Sequence, residues 1–340
     1  MNEMPVTIIV SGRNSSTTLR SCLESLAGQD YPIDEILCFD NRSTDNSREI
    51  AHSVAATSRV PIRVIDGGEG GTLSSAYNRG ASMAKCEIVV LTHSDCMIKT
   101  SGELRKLVQP LLSDPSAIAA YPIQIMPREV WGRFPFWQKF LFATAVERLE
   151  ISRCATFDAV RRNLYLTAGG FNEKRFTSTC GYGGEDAEAQ LRFGKFGRQL
   201  STDAVAVHLH SLSPGYGFLS YLRTRSMLAR TYGKQLRWQH GVKEISNLLF
   251  FVRPVLAVLP FLACVPFALG SFSLGAYSVI AALALQMLFS LLASRKMYYY
   301  REAVLDWRIL LVLPATWFMI YFETFWFFQG LFTPSADETK

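Results

Sequence analysis

Charged residues nearly vanish from the chain after Leu248, and this change in composition constrains the fold more than any other feature. Up to about Lys243, charges, turn residues and short apolar runs are mixed as in a water-soluble domain. Beyond it, three segments reach the roughly 20 apolar residues that a helix needs to cross a bilayer, at 250–269, 274–293 and 309–332. We therefore predict a soluble domain at 1–230, a juxtamembrane linker at 231–249, three transmembrane helices within 250–332 and a tail at 333–340.

The alternative to transmembrane helices is a set of buried core helices, which are usually shorter than these segments. Four basic residues lie between the second and third segments, and four more precede the first, whereas the turn at 270–273 has none. Basic residues favour the cytoplasmic side of a membrane. We therefore expect a multi-pass protein of the plasma (inner) membrane with a cytoplasmic soluble domain and an outer C-terminus. The lack of a signal pattern at 1–5 agrees with this expectation.

The net charge of +6 and the seven cysteines narrow the partners and the compartment. Juxtamembrane basic residues facing anionic lipid explain the charge more simply than nucleic acid does. We therefore expect a membrane partner and no nucleic-acid partner. The cysteines form no CxxC pair, which is typical of reduced cytosolic thiols rather than of a disulfide framework.

Strands and helices alternate through the first hundred residues. The apolar run at 6–10 is typical of a strand buried on both faces, and further strands are predicted at 35–39, 61–65 and 87–91. Such alternation predicts an α/β domain with a parallel, doubly wound sheet, whose ligands bind at the carboxyl ends of the strands. The chain lacks GxGxxG and GxxxxGK[ST] motifs, which argues against a dinucleotide dehydrogenase and a P-loop nucleotidase.

Seven short motifs in a fixed order resemble the family-2 glycosyltransferases of GT-A fold. They are Gly12-Arg-Asn14, Phe39-Asp-Asn-Arg-Ser-Thr-Asp-Asn-Ser47, Ala76-Tyr-Asn-Arg-Gly80, Ser94-Asp95, Gly169-Gly-Phe-Asn-Glu173, Gly183-Gly-Glu-Asp186 and His208-Leu-His210. The order and spacing carry the resemblance, which covers roughly residues 5–230. It implies a Rossmann-like GT-A domain, which transfers sugars from nucleotide diphosphates, followed here by an all-α transmembrane region.

The resemblance also implies a donor site and a metal site. The donor-binding residues that it implies are Asn14, Asp40, Asn41, Asp45, Asn78, Gly80, Ser94 and Asp95. Asp40 can accept a hydrogen bond from a nucleobase, although an Asx-turn cap also explains an aspartate here. The implied ligands of a Mg²⁺ or Mn²⁺ ion are Asp95, His208 and His210. For His208, a capping histidine at a strand end is the alternative.

His93 stands where the family has the first aspartate of an Asp-x-Asp turn. One carboxylate with substrate phosphates and waters is enough to hold a hard cation. The departure leaves the choice of metal open, and His93 is either a further ligand or an ordinary polar residue at a strand end.

The resemblance gives Asp186 the role of catalytic base, and Glu185 that of a back-up base or a contact to the acceptor, at the start of a helix. A helix N-terminus stabilises carboxylate anions, so we expect lowered pKa values there; an ordinary acidic first turn is the alternative. Direct attack by one activated hydroxyl implies inversion. The acceptor is expected to contact Gly169, Gly170, Phe171 and Trp131. Trp131 lies in an aromatic and basic segment, 127–137, that we expect at the membrane interface, with a buried helix as the alternative.

The hypothesis is therefore a transferase that moves a sugar from a nucleotide-sugar donor to a lipid-linked acceptor in polysaccharide or glycolipid assembly. Two enzymes remain alternatives: a polyprenyl-phosphate sugar synthase, and a processive synthase, whose Gln-x-x-Arg-Trp motif is one residue longer than Gln235-Leu-Arg-Trp238. A degenerate transferase acting as a membrane scaffold is the non-enzymatic alternative. Glu323, an acid within an apolar segment, also raises the possibility of transport.

Overall fold

The computed structural model describes residues 3–68, 71–151, 156–173, 185–210, 212–238, 251–300 and 306–334. Of these, 3–130, 145–173 and 185–212 form one compact unit, which we call the sheet unit. Residues 131–144 and 213–334 form the second, the helical unit. The helical unit thus includes 213–230 and a segment from the middle of the predicted soluble domain. Most of the predicted linker, 239–249, lies outside the described residues.

Nine strands form one sheet in the sheet unit. They are β1 Val6–Gly12, β2 Ile33–Asp40, β3 Ile62–Asp66, β4 Ile88–His93, β5 Cys96–Ile98, β6 Ala117–Ile125, β7 Glu150–Ile151, β8 Asp158–Arg161 and β9 Arg198–His208. The strand order is β3-β2-β1-β4-β8-β6-β9-β5, and β7 pairs with β6.

The sheet is mixed. Strands β1 to β4 are parallel, as predicted. Strand β8 is antiparallel to both β4 and β6, and β9 is parallel to β6 but antiparallel to β5. The prediction of a parallel sheet is therefore wrong beyond β4. The strand that extends the sheet beyond β4 is β8, which comes about 65 residues later in the chain, so local sequence does not reveal its direction.

The helices in the described part of the chain are α1 Leu19–Ala27, α2 Ser47–Thr57, α3 Leu73–Met83, α4 Glu103–Ser113, α5 Arg128–Gly132, α6 Phe136–Phe142, α7 Arg162–Thr167, α8 Glu185–Phe193, α9 Phe218–Trp238, α10 Val252–Leu262, α11 Val265–Ala268, α12 Phe272–Tyr299 and α13 Val312–Leu331.

Two apolar layers cover the faces of the sheet. Within β1, Ile8 and Val10 enter one layer and Ile9 the other, all fully buried. A side chain at Gly80 would collide with Ile9, so this glycine lets α3 lie close to the sheet.

Two stretches of the helical unit are long and apolar enough to cross a membrane. They are Phe272–Tyr299 and Trp307–Leu331, the second beginning with a 3-10 turn, Trp307–Leu311. The first predicted span is shorter, because α10 and α11 are separate helices within Val252–Ala268. At 1.5 Å per residue this stretch reaches about 25 Å, which corresponds to the lower limit of roughly 17 residues for a membrane-spanning helix.

Helix α9 packs closely along α13 because both carry glycine at the contact. A side-chain carbon at Gly233 would lie 2.1 Å from the carbonyl oxygen of Phe327. One at Gly330 would lie 2.1 Å from the carbonyl oxygen of Arg230. The Arg230 guanidinium also lies over the ring of Trp326, 5.2 Å from its centre. The two backbones therefore approach more closely than any larger residue would allow.

Glu323 is the centre of a buried ion-pair cluster in the helical unit. Its carboxylate lies 2.6 Å from Nη2 of Arg225, in α9, and 3.1 Å from Nε of Arg253, in α10. Only 7% of the Glu323 side chain is exposed. Two arginines from neighbouring helices thus account for this acid as a structural group.

The aromatic segment at 127–137 is buried rather than exposed. Trp131 is fully buried and its indole donates to the carbonyl oxygen of Lys139, 2.8 Å away. Trp137 packs on Phe218 and Tyr221 of α9, at ring distances of 4.6 and 5.7 Å. The structure thus favours the alternative of a buried helix over a helix at the membrane interface.

Candidate functional site

The carboxyl ends of β1 and β2 are joined by a network around Gly12. The backbone N–H of Asn41 donates to the Gly12 carbonyl at 2.9 Å, and the Asn41 side chain donates to Ser11 Oγ at 2.9 Å. A side-chain carbon at Gly12 would lie 2.3 Å from Ser94 Oγ. Glycine at this position therefore allows the turn after β4 to approach the end of β1.

The loop after β2 is shaped by three of the predicted donor-site residues. Asn14 has a positive φ of 53° and its side-chain oxygen accepts from the Thr44 backbone at 2.8 Å. Asp40 accepts from the Ser43 backbone at 3.2 Å, which is the capping role considered from the sequence. Although burial raises the pKa of Asp45, hydrogen bonds from Ser47 and Ser16 outweigh it and lower that pKa. These bonds hold the loop in shape, and a role in donor binding stays a prediction.

A group of atoms that can serve as metal ligands lies where β4, β5 and β9 meet. Oδ1 of Asp95 is 3.3 Å from Nε2 of His208 and 4.0 Å from Nδ1 of His93. With Sγ of Cys96, these atoms all lie within 4.8 Å of one another. Strand pairing explains the proximity: Cys96 is directly opposite His208, and the Leu209 N–H donates to the Asp95 carbonyl at 2.8 Å.

Gln124 orients His208 and was not identified from the sequence. Its side-chain Nε2 lies 2.8 Å from Nδ1 of His208, and its Oε1 accepts from Thr156 Oγ1 at 3.3 Å. This contact fixes the ring so that Nε2 faces Asp95. Because an amide nitrogen only donates, Nδ1 accepts here and the His208 proton lies on Nε2, towards Asp95. Metal binding through Nε2 requires the Gln124 amide to turn over, so that its oxygen accepts from Nδ1–H, the arrangement typical of metal-binding histidines. Gln124 lies in β6, which pairs with β9, so only the sheet topology reveals the contact.

His210 lies beside the group of donor atoms. Its ring stacks on that of His208 with a centre-to-centre distance of 3.7 Å, and its backbone has a positive φ of 49°. Among the described residues, the group within 4.8 Å comprises His93, Asp95, Cys96 and His208, without His210. Metal binding by His210 stays a prediction, and the structure adds His93 and Cys96 as neighbours of Asp95.

The charge states of these side chains suit a cation. Burial lowers the pKa of His93, and burial together with His208 lowers that of His210 to about 3. Burial alone would raise the pKa of Asp95, but the charge and hydrogen bond of His208 outweigh it and hold that pKa well below its usual range. An ionised carboxylate beside a neutral imidazole such as that of His93 is the form in which these groups bind metal. A divalent cation therefore fits Asp95, His208 and His93.

The predicted catalytic acids begin α8, and Gly183 and Gly184 before them lie outside the described residues. Asp186 lines a small cavity together with Leu91, Asp158 and Phe171. Burial raises the pKa of Glu185 to about 7, with a smaller contribution from Asp186. The expected lowering at the helix N-terminus is therefore wrong for Glu185, because desolvation of the carboxylate outweighs the helix dipole.

Asp158 is a further acid that sequence reasoning missed. It is buried at the start of β8 and lies opposite Leu91 in the antiparallel pair of β8 and β4. This pairing brings it to the cavity that Asp186 also lines. The sequence around Asp158 carries no motif, so no local signal could have found it.

The turn predicted to contact the acceptor is fastened to α3. Gly169 and Gly170 have positive φ values of 84° and 58°. The side-chain oxygen of Asn78 accepts from the Phe171 backbone at 2.8 Å and from the Tyr165 hydroxyl at 2.7 Å. Asn78 thus supports this turn, and its role in donor binding stays a prediction. Trp131 belongs to the helical unit, so acceptor binding by Trp131 likewise stays a prediction.

Comparison with known proteins decides the family. Residues 7–166 match the family model described as glycosyl transferase family 2. This part of the chain is a family 2 glycosyltransferase domain. The match ends before the predicted catalytic acids Glu185 and Asp186 and before His208 and His210.

Two curated proteins are each similar to a part of this chain. The glycosyltransferase GlyG of Streptococcus pneumoniae serotype 4 is 32% identical over 99 residues, which are 29% of this chain and 32% of that protein. The poly(ribitol-phosphate) beta-glucosyltransferase of Bacillus spizizenii is 28% identical over 104 residues, or 30% of this chain and 16% of that protein. The aligned parts thus span a third or less of either relative.

A solved structure resembles nearly the whole chain. The mannosyltransferase from Pyrobaculum calidifontis, in complex with GDP-Man and Mn²⁺, superposes with a TM-score of 0.55 at 20% sequence identity. The similarity covers 96% of this chain and 88% of that one. The prediction of a GT-A fold with a C-terminal helical region is confirmed.

Proposed function

We propose that the chain is an inverting, metal-dependent glycosyltransferase that moves a sugar from a nucleoside-diphosphate donor to a lipid-linked acceptor in polysaccharide or glycolipid assembly. The observation that carries the proposal is the cluster of Asp95, His93 and His208 beside the carboxyl ends of β1 and β4 in a family 2 domain. The structural relative in complex with GDP-Man and Mn²⁺ supports a nucleotide sugar and a divalent ion as partners.

The residues of the site divide the work of transfer. Asp95 and His208 would hold the ion, which supplies positive charge for the diphosphate leaving group. The loops around Asn14, Asp40 and Ser94 would bind the donor nucleotide. Asp186 would accept the proton of the acceptor hydroxyl, with Glu185 beside it. One base acting on one incoming hydroxyl gives inversion at the anomeric carbon.

The exposed apolar surface of the helical unit supports a membrane location. Large side chains of α12, such as Leu274 and Ile280, are 56% and 63% exposed. Water would penalise this surface, whereas lipid would not. With Val252–Ala268 as a third and shortest crossing, the basic loop between α12 and α13 lies in the cytoplasm together with the catalytic unit. A membrane-bound enzyme is well placed to use a lipid-linked acceptor.

The test uses the full chain in detergent with a panel of UDP- and GDP-sugars, a polyprenyl-phosphate and a polyprenyl-diphosphate sugar as acceptors, and Mn²⁺. We expect donor-dependent release of nucleoside diphosphate that EDTA abolishes and that Asp186→Asn reduces by about a hundredfold or more. Nucleotide binding without turnover of any donor would instead indicate the scaffold. Product length separates the remaining enzymes, because a processive synthase yields a polymer and a polyprenyl-phosphate synthase uses the unglycosylated lipid phosphate.

A further inference from the structure

We infer that His93 is a metal ligand and that it gives the site a preference for first-row transition ions such as Mn²⁺ and Co²⁺ over Mg²⁺. The inference deepens the proposed function and rests on it for the presence of an ion at this site. It concerns a position where the sequence departs from the Asp-x-Asp pattern of the resembling family.

The His93 ring lies close enough to the Asp95 carboxylate for both to bind one ion. Its Nδ1 faces Oδ1 of Asp95 at 4.0 Å, while Nε2 of His208 faces the same oxygen at 3.3 Å. One ion between the three atoms would bring each within coordination distance after small side-chain movements. The His93 ring is held in place, because it is stacked against the Tyr77 ring with a centre-to-centre distance of 6.4 Å.

Burial separates these three side chains from the neighbouring thiol. The exposed fraction of the side chain is 24% for His93, 20% for Asp95 and 13% for His208. An ion and a substrate can therefore reach all three. Cys96 is fully buried. The accessible metal ligands are therefore two nitrogen atoms and one carboxylate oxygen. They leave up to three positions of an octahedral ion for phosphate oxygens and water.

The chemistry of this donor set determines the preference. Mg²⁺ binds oxygen ligands and loses water reluctantly, whereas imidazole is a good ligand for transition ions. Two imidazoles and one carboxylate contribute a single negative charge, so a divalent ion keeps one net positive charge at the site. Two carboxylates would have neutralised it. A diphosphate leaving group therefore meets a more positive ion here than it would in an Asp-x-Asp site.

The experiment measures metal binding without donor or acceptor. The full chain in detergent is titrated separately with MnCl₂, CoCl₂ and MgCl₂ by calorimetry, and the Mn²⁺ form is examined by pulsed EPR for nitrogen coupling. The variants are His93→Asp, which supplies an oxygen donor, His93→Ala, and His52→Asp as a matched control on the exposed face of α2. Thermal unfolding of each variant verifies that it is folded.

We expect the wild type to bind Mn²⁺ and Co²⁺ more tightly than Mg²⁺ and to show coupling to two nitrogens. His93→Asp should lose one nitrogen coupling, because an oxygen ligand replaces a nitrogen ligand. The ratio of its Mn²⁺ affinity to its Mg²⁺ affinity should fall by roughly tenfold for the same reason. His93→Ala should lose the same coupling, and His52→Asp should change neither. A wild type that prefers Mg²⁺, or a His93 variant with unchanged nitrogen coupling, would overturn the inference.

These readouts separate the inference from the proposed function. Two nitrogen couplings in a chain that turns over no nucleotide sugar would support the metal site and contradict the transferase. Turnover by wild type and His93→Asp with the same metal preference would support the transferase and contradict the role of His93.

Discussion

At the scale of single residues, Gln124 is the clearest test of the metal site. We expect Gln124→Leu to weaken Mn²⁺ binding about 10- to 100-fold, because His208 loses the partner that orients its ring. Gln124→Glu should retain binding, since a carboxylate, unlike the amide nitrogen that faces Nδ1 in Gln124, accepts a hydrogen bond from Nδ1–H and leaves Nε2 for the ion. Calorimetric titration of both variants checks the prediction. Equal affinity in wild type and Gln124→Leu would contradict it.

Glu185 gives a pH dependence whose sign follows from its burial. The folded carboxyl keeps its proton up to about pH 7, whereas its ordinary value is 4.5. The folded state therefore binds more protons than the unfolded state between these values, and stability falls as pH rises through this interval. We expect Glu185→Gln to remove this fall in thermal unfolding curves recorded from pH 4.5 to 8.

Glu49→Gln is the matched control, because Glu49 also lies in the first turn of a helix but is exposed. Its unfolding temperature should follow that of the wild type across the same pH range. A wild-type curve that is flat between pH 4.5 and 7 would contradict the burial of Glu185.

Local sequence predicts some residues of the site and cannot predict others. Asp95 and His208 carry motifs, and the structure brings them together. Gln124 and Asp158 carry none, because their positions depend on β6 pairing with β9 and β8 pairing with β4. Such pairings between distant strands are decided by the whole sheet rather than by neighbouring residues.

At the scale of helices, the contact between α9 and α13 depends on its two glycines. We expect Gly233→Ala and Gly330→Ala each to destabilise the helical unit by about 1–3 kcal/mol, because the added carbon would collide with backbone atoms of the other helix. Thermal unfolding in detergent measures the effect. Gly132→Ala is the control, since a carbon there meets nothing within 4 Å, and a similar loss in all three variants would contradict the prediction.

The ion pairs of Glu323 predict a non-additive set of variants. Glu323→Leu leaves Arg225 and Arg253 without their shared carboxylate, and we expect it to cost about 3–5 kcal/mol. A triple variant with Glu323→Leu, Arg225→Met and Arg253→Met should be more stable than Glu323→Leu alone, because no uncompensated charge remains. Unfolding in detergent ranks the variants. A triple variant less stable than the single one would contradict this explanation.

Prediction of the helices from sequence succeeds where polar boundaries are clear. The turn residues at 40–46 and the proline at 61 predict a helix over 47–57, and α2 is Ser47–Thr57. The segment around Trp131 and Trp137 shows the opposite case. Aromatic side chains are equally suited to a membrane interface and to a protein interior, so composition alone could not reveal that they pack within the helical unit.

At the scale of the whole molecule, the division into units is not visible in the sequence. Residues 131–144 join the helical unit because α6 packs on α9, whose contact residues Phe218 and Tyr221 come about 80 residues later. The predicted boundary at 230 followed the extent of the family resemblance, and the continuous apolar sequence begins only after Leu248. The amphipathic α9 precedes that onset but packs with the helices that follow it.

The number of membrane crossings sets the side on which the chain ends. With three crossings, Lys340 lies outside the cytoplasm. We therefore expect an alkaline phosphatase fused after Lys340 to be active, and a fluorescent protein fused at the same place to be dark. A fusion after Tyr300 should give the reverse result, since three crossings would place the basic loop in the cytoplasm. A fluorescent C-terminal fusion would show that Val252–Ala268 does not cross.

The pairing of β5 with β9 also orders events during synthesis. Asp95 and His208 are more than a hundred residues apart, so at about 5–20 residues per second the ribosome releases the second some 6–20 s after the first. A nascent chain that ends before β9 has His93 and Asp95 but lacks His208. If these three residues hold the ion as proposed, we expect it to be acquired late, when the sheet unit is complete.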